Sequence, residues 1–135
     1  MDKIKVEMYV TVSEQDIDDI MATAMEGGIN YWCDGAKVVG DYLGEYGSEQ
    51  IARGGKLKLH TEEPFDDEET EWYELDKEKF LKGLNMYIKD PNKPYEILCF
   101  DTDMDGDLTI DTCQVDATVA DMIVQYALFG EVVFG

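Results

Sequence analysis

The sequence predicts a single α+β domain over residues 1–135, with a mainly antiparallel sheet packed with about three helices. Three observations lead to that class. The 135 residues, 44% hydrophobic and 11% aromatic, suit one domain with one sizeable core. Three segments carry apolar residues at helical spacing, and each begins at a residue able to cap a helix. The segments between them alternate or are rich in β-branched and aromatic residues. The resulting order is strand, helix, strands, helix, hairpin, helix, without an internal repeat.

The first element, KIKVEMYVTV (3–12), alternates in part, with Val6, Met8, Val10 and Val12 on one side, and reads as a strand. Ser13 then opens a helix in a capping-box arrangement with Asp16, and Val12 and Ile17 are spaced to staple it. Asp16, Asp18 and Asp19 stand where the helix dipole favours negative charge. Ile17, Ile20, Met21 and Ala24 form its apolar stripe, and Gly27 and Gly28 end it. The next stretch, 27–55, holds eight of the twelve glycines. Val38, Val39, Tyr42, Leu43 and Tyr46 recur there at a spacing that a further helix could also use, although Gly40 and Gly44 weaken it by about 1 kcal/mol each. Ser48 is placed to cap a short turn through Arg53.

KLKLHT (56–61) reads as a strand, with Leu57 and Leu59 on one face and Lys56, Lys58 and His60 on the other. The acidic run 62–71 is a loop and EWYEL (71–75) a strand. Asp76 caps a helix in which Phe80, Leu84, Tyr87 and Ile88 repeat, and Pro91 stops it. YEILCF (95–100) and LTIDTC (108–113) read as paired strands. Asp116 caps the last helix, with Val119, Met122, Ile123 and Tyr126 facing inward. Gly130 ends it, and EVVFG (131–135) is an apolar tail expected to pack.

Charge narrows the function. Thirty-one acidic residues stand against eleven basic ones, for a net charge of -20 and Arg53 as the sole arginine. Phosphate binding needs a basic surface, so nucleic acid is excluded as a direct partner and a basic protein or a cation is favoured. The competing reading is that the charge only keeps the protein soluble. Cys33, Cys99 and Cys113 are odd in number and lack C-x-x-C spacing, which argues against a disulfide framework and suits a reducing compartment. The chain shows no apolar run of membrane-spanning length and no leader pattern, so a cytoplasmic protein is expected.

DTDMDGDLTIDT (101–112) raises the possibility of calcium. Asp101, Asp103, Asp105, Asp107 and Thr109 match ligand places of an EF-hand loop, with Gly106 at the turn. The twelfth place holds Thr112 instead of a bidentate glutamate, and a strand-like run with Pro91 and Pro94 precedes the loop where a helix is required. The favoured reading is a hairpin turning around Asp103–Asp107. No cofactor is expected, and calcium is the alternative. An enzyme is not expected either. The two serines, Ser13 and Ser48, read as caps, and neither a nucleophile elbow, a P-loop nor a dinucleotide fingerprint occurs.

Two surfaces remain as partner-binding candidates. One is acidic: Glu62, Glu63, Asp66, Asp67, Glu68, Glu69 and Glu71, with Asp103, Asp105 and Asp107, which together imitate the charge of a nucleic-acid backbone. The other is Trp32, Tyr42, Tyr46 and Arg53, residue types common at interface centres, although Trp32 is better explained by core packing.

DIDDIMATAMEGGINYWC (16–33), YLGEYGSEQIARGG (42–55) and ADMIVQYALFGEVVFG (120–135) resemble small uncharacterised proteins of phages, prophages and mobile elements of Gram-positive bacteria. The resemblance covers both ends and part of the middle, and it carries no catalytic residues across. It implies an inhibitor of a host defence or DNA-binding protein. The expectation is thus a non-enzymatic acidic binding protein, with a homo-oligomer left open.

Overall fold

The computed structural model describes residues 1–61, 72–100 and 108–135. Local capping chemistry sets the helices. α1 (Glu14–Thr23) opens as expected: Asp16 N–H donates to Ser13 Oγ and Ser13 N–H to the Asp16 carboxylate, both at 3.0 Å. Past Thr23 it widens into one π turn, Ala24–Gly28. A Cβ on Gly28 would lie 2.8 Å from the Ala117 carbonyl, so this turn reaches the start of the last helix only because the side chain is missing. α2 (Lys77–Lys89) is capped by Asp76, and α3 (Ala117–Phe129) by Asp116. Gly130, at φ +73°, closes α3 in the left-handed conformation that glycine adopts freely.

Among the described residues six strands form two sheets, so the predicted class holds but the sheet is divided. β2 (Cys33–Val39), β3 (Lys56–Thr61) and β4 (Trp72–Leu75) pair antiparallel in that order. Val38, Leu57 and Leu75 share one row, and the register slips between Cys33 and Gly35. In the other sheet, β1 (Val10–Thr11) runs parallel to β6 (Leu108–Ile110), which pairs antiparallel with β5 (Leu98–Phe100). α3 packs against α2, α1, the π turn and β4. The core gathers Ile17, Ile20 and Met21 of α1, Phe80, Leu84 and Tyr87 of α2, and Val119, Ile123 and Val124 of α3, over Leu57, Leu59 and Leu75.

Several expected elements change. The first strand shrinks from 3–12 to Val10–Thr11, the two residues that pair with Leu108 and Thr109, and residues 1–9 are exposed. The helix that the spacing allowed across Val38–Tyr46 does not form. Val38 and Val39 instead belong to β2, where branched side chains suit the pairing with β3, and Gly40 at φ +77° turns the chain out of the strand. At 47–49 the short turn is a 3₁₀ helix whose preceding N–H groups are met by Glu49, not Ser48: Glu45 N–H and Tyr46 N–H both donate to Glu49 Oε1 at 2.9 Å. The strands expected over 95–100 and 108–113 are three residues each, and Asp111 caps a 3₁₀ turn at Thr112–Gln114 that ends the second.

α3 buries more than one stripe. Val119 and Ile123 are inside as expected, but Met122 and Tyr126 are only partly covered, and Ala120, Asp121, Val124 and Gln125 are buried with them. The reason is that α3 is covered on two sides, by α2 and by the chain's own tail. The Asp121 carboxylate accepts from Tyr31 Oη (2.5 Å), Trp32 Nε1 (2.7 Å) and Gln125 Nε2 (2.9 Å). Gln125 Oε1 accepts from Val133 N–H (2.7 Å) and Phe134 N–H (2.8 Å), and Phe134 stacks on Trp32 at 5.3 Å. The tail therefore packs, as its composition suggested.

Two predictions follow from this packing. Gly83 faces α3, and a Cβ there would lie 2.6 Å from both Ala127 N and Ile123 O. Gly83→Ala forces two helix backbones apart and is expected to lower stability by about 1–3 kcal/mol in urea unfolding. A variant as stable as wild type would contradict the close approach. Tyr31 has its pKa pushed up to about 12, by burial first and then by its bond to the Asp121 carboxylate. Because its folded pKa lies above its unfolded one, its share of stability is complete below pH 10 and is lost as pH rises towards 12. Tyr31→Phe should therefore lose the tyrosinate absorbance that develops near pH 12 and flatten the alkaline fall in stability. An absorbance loss near pH 10 instead would count against the bond.

Candidate functional site

Eleven of the acidic residues stand in 62–71 and 101–107, and neither segment contains a lysine or arginine. The acidic residues singled out from sequence, Glu62, Glu63, Asp66, Asp67, Glu68, Glu69, Glu71, Asp103, Asp105 and Asp107, all lie outside the described residues. The fold does place the ends of both segments. The first joins β3 to β4 of the antiparallel sheet, and the second joins β5 to β6 of the mixed sheet.

Among the described residues, a further acidic surface is built on α1 and the loop that packs beside it. α1 carries Glu14, Asp16, Asp18 and Asp19; the 41–49 loop carries Asp41, Glu45 and Glu49. Arg53 ties the two together. Its guanidinium lies 3.7 Å from Asp18 Oδ2 and 3.4 Å from Glu49 Oε2, and it donates to the Glu49 carbonyl at 3.1 Å. Asp18 pays for its place: burial pushes its pKa up, Arg53 opposes that, and Glu49, Glu14 and Asp19 add to it. Its Oδ1 is buried without a hydrogen-bond partner. Glu49 goes the other way, held below the usual carboxylate range by the Tyr46 and Glu45 N–H groups and by Arg53. Asp19 accepts from Gln15 at 2.7 Å and from the Thr112 hydroxyl at 3.5 Å.

Sequence reasoning treated the α1 carboxylates as dipole partners only. The acidic first turns were the visible signal, but nothing local in the sequence shows that Glu49, thirty-one positions after Asp18, returns to the same surface.

The lysines stand elsewhere. Lys37, Lys56 and Lys58 are exposed on β2 and β3, with Lys37 4.5 Å over the Trp72 ring and Lys56 3.3 Å from Glu74. Lys77, Lys79, Lys82 and Lys89 are on α2. Seven of the ten lysines thus stand on the antiparallel sheet and α2, with Lys3 and Lys5 in the amino-terminal stretch and Lys93 beside Glu96, and Arg53 is the cation that the described ion pairs place on the α1 surface.

The aromatic candidates do not converge. Trp32 is only 2% exposed, buried against Phe129 and Phe134, because its ring and its N–H both find partners inside; it is a core residue and not a surface anchor. Tyr42 and Tyr46 are exposed on the acidic loop, and Arg53 is engaged by Asp18 and Glu49.

For the calcium alternative, the ligand candidates Asp101, Asp103, Asp105 and Asp107 lie outside the described residues. Thr109 is in β6 opposite Cys99, where its hydroxyl donates to the Cys99 carbonyl at 3.3 Å. The flanking elements are antiparallel strands, where an EF-hand has helices. Among the described residues, no three His, Cys, Asp or Glu side chains gather to hold a metal ion. The three cysteines are free thiols, and burial raises the pKa of Cys33. His60 pairs through Nδ1 with Asp34 and packs on Trp72. Among the described residues, no helix is long and apolar enough to cross a membrane.

In comparisons with known proteins, no family model, curated protein or solved structure matches this chain.

The raised pKa of Asp18 means that its charge is less favourable in the folded than in the unfolded chain. Stability from this group is greatest at low pH and falls as pH rises through its folded pKa. Asp18→Asn is therefore expected to raise the melting temperature at neutral pH, with the difference vanishing in acid. A lower melting temperature at neutral pH would show that the Arg53 pair outweighs the burial.

Proposed function

We propose that this protein is a non-enzymatic binding protein that docks an acidic surface on a basic partner. A nucleic-acid-binding protein, such as a nuclease, is the favoured target. The observation that carries the reading is the separation of charge. Seven carboxylates share α1 and the 41–49 loop with one guanidinium, while seven of the ten lysines stand on the antiparallel sheet and α2. Charge spread evenly for solubility would not leave one side so depleted of cations. The acidic segments 62–71 and 101–107 add to the same imbalance.

A concentrated negative surface attracts a basic groove over about a Debye length, ~8 Å at physiological salt, and speeds encounter more than it tightens the final complex. The resemblance to mobile-element proteins supports an inhibitory role, in which occupying the groove of a host defence or DNA-binding protein keeps nucleic acid out.

Capture of partners from host lysate at low and high salt is the test. A basic protein should be retained at low salt and released at high salt. The Glu14→Gln, Asp41→Asn, Glu45→Gln variant alters exposed side chains and should bind on the order of tenfold more weakly. The proposal fails if no basic partner is retained at low salt, or if the triple variant captures it equally well.

A further inference from the structure

The amino-terminal stretch is patterned as a strand well beyond the two residues that pair. Ile4, Val6, Met8, Val10 and Val12 occupy every even position, and Lys3, Lys5, Glu7, Tyr9 and Thr11 the odd ones. An unbroken period of two is the pattern of a strand with one buried face. Only Val10 and Thr11 lie in β1, and Tyr9 contributes its carbonyl to Leu108 N–H. Further out, the apolar side emerges into solvent: Met8 is 45% exposed, Val6 66% and Ile4 89%. Val6 and Met8, with Val10 and Val12, line a cleft of about 510 Å³ whose other wall includes Leu81 and Ile88 of α2. β1 is an edge strand, and among the described residues no strand pairs along its outer side, so the line of the sheet continues into this segment.

We propose that residues 3–9 pair antiparallel with the same residues of a second copy of this chain, joining two mixed sheets into one across a two-fold axis. Charge selects this occupant. A chain of net charge -20 resists meeting itself, but residues 1–12 contain two lysines and two acidic residues and are neutral. The sequence then selects the register. Antiparallel pairs must keep even positions opposite even ones, or apolar side chains change face. Centring on Lys5 sets two lysines directly opposite one another, and centring on Glu7 sets two glutamates opposite, both unfavourable. Centring on Val6 sets Val6 against Val6, Ile4 against Met8, and Lys5 against Glu7 twice. Edge lysines ordinarily discourage strand pairing; here Glu7 answers Lys5 in this one register.

The geometry is that of a symmetric contact, in which each segment gives and receives the same pairs. It uses the mixed sheet and the α2 cleft, and leaves the acidic surface on α1 and the 41–49 loop to its own partner.

Sedimentation of the full chain over a concentration series tests this. Wild type should form a reversible dimer. Val6→Lys sets two lysines opposite at the centre and should weaken the dimer by about tenfold or more, with the far-ultraviolet circular dichroism unchanged because Val6 is exposed. Lys5→Glu alone and Glu7→Lys alone should each weaken it as well, and an equimolar mixture of the two should dimerise again, since each strand then meets its opposite. A wild-type protein that stays monomeric up to millimolar concentration overturns the proposal. So does a dimer indifferent to Val6→Lys, or a mixture that does not recover.

Discussion

The described structure depends on one buried carboxylate. Asp121 is 6% exposed and accepts three hydrogen bonds, from Tyr31, Trp32 and Gln125. A charge removed from water needs such donors, and each bond to a charged group contributes about 1.5–3 kcal/mol net. Two of the donors, Tyr31 and Trp32, lie 90 and 89 positions away in the chain, so satisfying one carboxylate places the 29–32 segment against α3. Gln125, one helical turn on, passes the constraint to the tail by accepting from Val133 and Phe134. Trp32, Phe129 and Phe134 then close over the polar pair, and Tyr73 of β4 meets Phe129 at 5.1 Å. Helix, loop, tail and sheet are thereby held by a single polar node inside an apolar shell.

The same economy explains where the charge goes. Core-facing positions on α1 are apolar, so its remaining positions carry the carboxylates outward. The 41–49 loop brings more of them to the same side, and Arg53 offsets two. Burial, and after it the neighbouring carboxylates against Arg53, raise the pKa of Asp18, while N–H groups and Arg53 lower that of Glu49, all within a fold whose stability comes from the core. The amino-terminal strand is the opposite case: neutral, apolar on one side, and placed at a sheet edge. The two surfaces differ in the force each would use, salt-sensitive attraction in one and backbone pairing in the other.

Legibility in the sequence followed the range of the interaction. Ser13, Asp76 and Asp116 were readable as caps, and Gly130 as a stop, because each acts on backbone a few residues away. Leu57 and Leu59 were readable as the inner side of a strand for the same reason of simple period. Val38–Tyr46 was open in the sequence because a short apolar run fits both periods, and pairing of Val38 and Val39 with β3, a distant strand, decided it. Asp121 and Gln125 were passed over because polar residues on a helix are ordinarily solvent-facing, and only the return of the tail reveals otherwise.

By itself, then, the sequence determined the α+β class, the capped ends of three helices, the acidity of the chain and the hairpin pairing on either side of 101–107. Those properties rest on composition or on contacts within a few residues. The tertiary structure decided that there are two sheets and not one, that Trp32 is core, that Asp121 organises the interior, and that Asp18 and Glu49 share one surface. Each of these depends on residues far apart in the chain meeting in space, and no local pattern encodes which distant partner satisfies a buried group or an open strand edge.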